Sequence, residues 1–224
     1  MIRGVILSHT PIGRGFCTNI SVRDPVTGVR RQIRPRLPPN DTLQIGSFGY
    51  SVADMTDHWQ PGNYVDLEGF TSVPAGHERS THPEDVNVTG KVVLYTNGPS
   101  AEKMKEIHDS FTFPSLRAFM PPLVVQSNSK ATVLETAVLT QSVGYVRMAS
   151  VRISQDFGKY VVRTMDHRGL TVAGALKDSR LLSRFAAGEQ IPLVHRDVLV
   201  RFSLSGYFDK NPPCWLMVSH IVGV

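Results

Sequence analysis

The chain has 224 residues, 41% of them hydrophobic, and a formal net charge of +5. That is enough apolar material for one large or two small domains with real cores, which excludes a disordered tail. No stretch approaches the roughly 18–20 consecutive apolar residues that cross a bilayer, and the apolar run at the start is too short for a secretion signal, so a cytoplasmic protein is expected.

The charge is unevenly spread. Residues 1–40 hold seven arginines against one acid, Asp24, residues 41–120 hold five bases against eleven acids, and residues 121–224 hold twelve bases against seven acids. Arginine outnumbers lysine 17 to 7. The planar guanidinium binds phosphate through two parallel hydrogen bonds and stacks on bases, whereas an ammonium acts as a point charge, so the bias favours a nucleic-acid partner. Cys17 and Cys214 stand far apart with no Cys-x-x-Cys spacing. They read as small buried apolar residues rather than a disulfide framework or a zinc site.

Along the chain, short stretches of period-two alternation are separated by Gly, Pro, Asn and Asp, the pattern of an all-β protein. In FCTNISVR, Phe16, Thr18, Ile20 and Val22 share one face, and the turn Asp24–Gly28 closes this strand onto VRRQIRP. Four arginines follow within seven residues, Arg30, Arg31, Arg34 and Arg36, and Pro35, Pro38 and Pro39 then stiffen the exit. Further strands are expected at 50–55, 63–70 and 87–95. A helix is expected near 100–111, with Ser100 as its N-cap and Met104, Ile107, His108 and Phe111 on one stripe. Pro121 and Pro122 followed by a Ser/Asn run mark 123–130 as a joint between domains.

Beyond the joint the β pattern resumes. In VGYVRMASVRIS the apolar phase slips by one at Ala149–Ser150, as a β-bulge would make it, allowing one long strand to bend. A hairpin over 159–175 turns at Asp166–Gly169, a short helix ends at Gly188, and CWLMVSHIVGV closes the chain as a buried strand. The expected fold is therefore all-β with short helical insertions, arranged as two tandem OB-fold-like five-stranded barrels over 1–122 and 131–224.

Several short motifs support that arrangement: GVILSHTPIGRGFCTNISV, RQIRP, HPEDVNV, and the closing DVLVRFSLSGYF and CWLMVSHIVGV. In this order they resemble the dual-OB-containing domain family of prokaryotic conflict systems, over nearly the whole chain. The matching positions are Cys17, Arg34, Pro35, Pro83, Glu84, Asp85, Ser203, Leu204 and Trp215. The chain differs where Gln32 and Ile33 replace an aromatic before the Arg-Pro step, and at Lys177-Asp178-Ser179. The resemblance implies two OB barrels acting as a nucleic-acid-binding or sensing component of an antiviral defence system.

OB barrels hold single strands with a basic groove for the phosphates and aromatic side chains for the bases. The phosphate candidates are Arg14, Arg30, Arg31, Arg34 and Arg36 in the first half and Arg147, Arg152 and Arg163 in the second. The stacking candidates are Phe48, Tyr50, Trp59, Tyr160 and Tyr207. HPEDV brings together His82, Glu84 and Asp85, but neighbours on an extended chain point to opposite sides and no second cluster completes a ligand set, so no metal or other cofactor is expected. With no phosphate loop, nucleophile elbow or zinc-protease motif, the chain reads as a non-enzymatic binder of DNA or RNA. The alternative is an adaptor that docks a protein effector of a defence system, which the acidic stretch 41–120 would suit.

Overall fold

The structure is a computed structural model. It describes residues 1–12, 15–36, 44–45, 48–49, 59–72, 83–133, 139–205 and 214–224, with the backbone alone at 11, 12, 15–17, 36, 44, 45, 48, 49 and 72. The chain divides into two compact units, Met1–Ser80 with Glu84–Ser110, and Thr81–Pro83 with Phe111–Val224. Residues 123–130 lie inside the second unit. No helix among the described residues is long and apolar enough to cross a membrane.

The first unit is a curled, half-barrel sheet. Its strands are β1 (Ile2–Ile12), β2 (Gly15–Arg23), β3 (Arg30–Arg36), β4 (Gln44–Ile45), β5 (Phe48–Gly49), β6 (Tyr64–Leu67), β7 (Phe70–Ser72), β8 (Asp85–Val88) and β9 (Val92–Leu94), followed by helix α1 (Ala101–Ser110). β1, β2 and β3 form an antiparallel meander. The β2–β3 turn is where the sequence places it: Asp24 Oδ1 accepts from the backbone of Val26 and Thr27, and Gly28 takes a φ of 70°. β8 joins β3 in parallel and β6 joins β1 antiparallel. The arms β6–β7 and β8–β9 pair with each other throughout, bridged by Glu68 N–H to Lys91 O and Thr89 N–H to Gly69 O. Ile6, Ile20, Val22, Ile33, Val65 and Leu67 fill the concave side, and Trp59 packs among them with 1% of its surface exposed.

The second unit is a closed five-stranded barrel. Its elements are β10 (Thr112–Phe113), α2 (Leu116–Phe119), β11 (Val124–Val125), β12 (Ala131–Val133), β13 (Val143–Asp156), β14 (Lys159–Asp166), β15 (Thr171–Leu176), α3 (Ser179–Ala186), β16 (Val194–Leu204) and β17 (Cys214–Ile221). β13 pairs with β14, β14 with β15, β15 in parallel with β17, β17 with β16, and β16 back with β13. Numbered within the barrel, the strands run 1-2-3-5-4 and close on 1, with a helix between the third and fourth. This is the topology of an OB-fold. The first unit repeats the same succession of pairings when β6–β7 and β8–β9 are each taken as one bent strand.

β13 makes closure possible because it is long enough to serve two neighbours. Its register against β14 shifts between Met148 and Ser150, the bulge foreseen from the slipped apolar phase. Val146 and Met148 before the bulge, and Val151 and Ile153 after it, all face the core. Helix α3 is held by Asp178, which caps it by accepting from Leu181 N–H and ties it to β17 by accepting from His220 Nδ1 at 2.9 Å and Ile221 N–H at 3.1 Å. Burial raises the Asp178 pKa, but these hydrogen bonds outweigh it and hold the carboxyl below its usual range. Cys214 is buried in the core of this unit, as the sequence suggests.

Two outcomes test this packing. A Cβ on Gly174 would lie 2.8 Å from the Leu216 carbonyl oxygen across the β15–β17 pair. Gly174→Ala therefore costs about 1–3 kcal/mol in a denaturant titration, because backbone rather than a flexible side chain must yield. In the first unit, His9 is buried with Nδ1 3.0 Å from Thr18 Oγ1, and burial pushes its pKa down to about 4. The unfolded chain takes up that proton near pH 6.5 and the folded chain does not. Stability then falls as pH drops from about 6.5 towards 4, and His9→Gln flattens this part of the pH profile in thermal melts.

Candidate nucleic-acid interface

The arginine-rich strand does not form one basic surface. Adjacent residues of a strand point to opposite faces, and the pairing fixes which. Val22 faces the core and is paired with Arg31, which places Arg31 on the concave side at the open end, its guanidinium 5.1 Å from the Phe70 ring centre. Arg30 is on the convex side opposite Arg23, with Glu106 of α1 near both. Partial burial, then the Arg23 charge, lowers the Arg30 pKa, and Glu106 works against them. Arg34 is also convex, but its Nε lies 3.2 Å from Oδ1 of the buried Asp85. The same two residues are register partners in the parallel β3–β8 pair, and Arg34 N–H donates to Glu84 O. Arg34 is thereby committed to closing the first unit. Arg36 pairs through its backbone with Asn87, and its side chain lies outside the described residues, as does that of Phe48. Arg14, Tyr50 and Tyr207 lie outside the described residues altogether.

The second unit brings two candidates together. Arg152 on β13 and Arg163 on β14 are direct register partners, both exposed on the outer wall of the barrel. On the other side of β13, Val194 faces Arg152 and Arg196 faces Ser150, two residues away on the same wall. Among the described residues, none of these three arginines has an ion pair or hydrogen-bonded side-chain partner. Like charges directly opposite one another weaken a strand pair, so the wall carries a small electrostatic cost that its own fold does not offset. Arg147, before the bulge, is occupied: it donates to the Asp197 carbonyl at 3.2 Å and lies 3.7 Å from its carboxylate. Arg201 is only 1% exposed, over the ring of fully buried Tyr145 at 5.9 Å. Burial pushes the Tyr145 phenol up to about 12 even against that positive neighbour.

The aromatic candidates sort differently. Tyr160 stacks on Phe185 of α3 with ring centres 4.4 Å apart and packs against the core, so one of its faces is already taken. Trp59 is a core residue and is not available to a base. Trp215 sits 6.0 Å from Lys130 Nζ. Arg196 was not among the sequence candidates because nothing in HRDV shows that it aligns with Arg152; only the β13–β16 register does.

No family model matches the chain, and no curated protein matches it. Among solved structures, a murine DNA-binding protein bound to double-stranded DNA aligns over 96% of this chain and 91% of its own, at 9% identity and a TM-score of 0.34. An overlap that low adds nothing to the fold assigned from the strand pairings.

Because Arg34 serves closure, removing its partner is a test of structure rather than of binding. Asp85→Asn destabilises the first unit by about 1–3 kcal/mol in urea, since it leaves a largely buried guanidinium without its counter-charge, while any nucleic-acid affinity keeps its salt dependence.

Proposed function

We propose that this protein binds nucleic acid without acting on it chemically, and that the outer wall formed by β13, β14 and β16 is the contact surface. One observation carries the reading: Arg152 and Arg163 face each other across two strands, with Arg196 beside them, and none is neutralised from within the described residues. Strand partners lie about 5 Å apart, so such a cluster offers forked donors to neighbouring phosphates of one backbone. A polyanion removes the repulsion that the fold leaves in place. Contacts of this kind carry no base preference, which suits a sensor of foreign nucleic acid. The resemblance to the dual-OB family of prokaryotic conflict systems favours such a role in antiviral defence, with a protein effector as a further partner.

Fluorescence anisotropy of a labelled oligonucleotide, titrated at several salt concentrations, tests the reading. The log–log salt slope is roughly −0.7 per phosphate contacted on a single strand. Arg152→Ala with Arg163→Ala makes the slope shallower by about 1.4 and weakens binding at low salt. An unchanged slope and affinity in the double variant would exclude this wall as the site.

A further inference from the structure

Phe157 sits at the tip of the β13–β14 hairpin, between the paired Asp156 and Lys159, with 98% of its surface exposed. Its φ is 45° and that of Gly158 is 74°. Two successive positive φ values make a two-residue turn whose first position favours Asn, Asp or Gly, because a side chain there crowds the backbone. An aromatic ring at this position is held in the left-handed region and also presented to water. Neither the turn nor the core gains from it. Four of the eight large apolar side chains exposed among the described residues lie here, Phe157 and Met165 on this hairpin, Val194 at the start of β16 and Leu193 just before it. From Arg152 through the tip to Arg163 the charged groups of the hairpin are Arg152, Lys159, Arg163 and the single acid Asp156.

We propose that Phe157 is a stacking platform for an unpaired base, so that the ligand of this wall is single-stranded nucleic acid; the inference rests on the nucleic-acid reading above. Arg152 and Arg163 each lie about five residues back from the tip, roughly 15 Å along the strands, a few nucleotides of an extended chain. A strand gripped by its phosphates at the arginines reaches the ring with its bases free. In a duplex the base faces are already stacked on one another and give the ring no purchase. The excess of arginine and lysine over acid on the wall selects an anionic polymer over an apolar peptide.

The test uses the full chain with three probes: labelled dT15, a dT15·dA15 duplex, and phosphatidylserine/phosphatidylcholine vesicles. Phe157→Asn restores a favoured turn residue and raises Tm by about 2–8 °C, while it weakens dT15 binding by about 5- to 100-fold. It leaves the salt slope and duplex affinity unchanged. Phe157→Trp keeps dT15 affinity and gains a fluorescence signal, quenched by dT15, that wild type with Trp59 and Trp215 lacks. If Phe157→Asn binds dT15 as wild type does while the double arginine variant loses binding, stacking is wrong and the nucleic-acid reading stands. If wild type binds neither nucleic acid at low salt, the functional reading itself fails. Equal loss on duplex would replace stacking on a free base with a wedge between paired ones, and Phe157-dependent vesicle binding without a preference for dT15 would make the tip a membrane contact. Either would overturn the proposal.

Discussion

Both units depend on one awkward connection. A meander of three antiparallel strands cannot close on itself by adding a fourth in the same manner, because the end of the third strand must meet a strand running alongside it. In the second unit the chain solves this with a parallel pair, Ala175 beside Met217 and Leu176 beside Val218. In the first, Arg34, Pro35 and Arg36 run beside Asp85, Val86 and Asn87. Parallel pairs need a crossover and are slightly weaker per residue than antiparallel ones, so each is reinforced locally. Gly174 lets the backbones of β15 and β17 approach, and the Arg34–Asp85 ion pair holds β3 to β8. The outer wall of the barrel, and every register relation on it, follows from that closure.

The closure also gathers separated motifs into one feature. Arg34-Pro35 and Glu84-Asp85 are far apart in sequence, yet they form a single parallel contact. Ser203-Leu204 and Trp215 likewise meet where β16 turns back towards β17, with Ser205 Oγ accepting from Trp215 N–H. The residues that carry the resemblance are thus mostly those that join one strand to another, which is why they speak to fold more directly than to ligand.

Much of the architecture was legible because its signals are local. Asp24 and Asp166 mark turns by bonding to the backbone just ahead of them, Gly188 ends α3 at a φ of 75°, and the apolar phase slip at Ala149 locates the bulge. The site was harder to read because it is set by pairing across strands. Arg30 and Arg31 are neighbours in sequence and lie on opposite faces, whereas Arg152, Arg163 and Arg196 are scattered in sequence and share one wall. Aromatics were harder still. Tyr160 and Phe157 are three residues apart on one hairpin, and what separates a packed ring from an exposed one is the arrival of Phe185 from a helix formed later in the chain.

The bulge on β13 has a consequence for how this protein can change over time. Side chains alternate with a period of two, so a single unpaired residue decides which face everything after it occupies. One further residue between Ser150 and Val151 would turn Val151 and Ile153 outward and Arg152 inward at one stroke, whereas deleting Ala149 would only remove the bulge and leave the faces as they are. The apolar lining and the charged exterior of this hairpin are therefore inherited together: substitutions can tune either one, but a gain or loss of one residue in β13 away from the bulge exchanges them. Length variation in a lineage of such proteins should collect in the loops and spare the span from Val143 to Asp156.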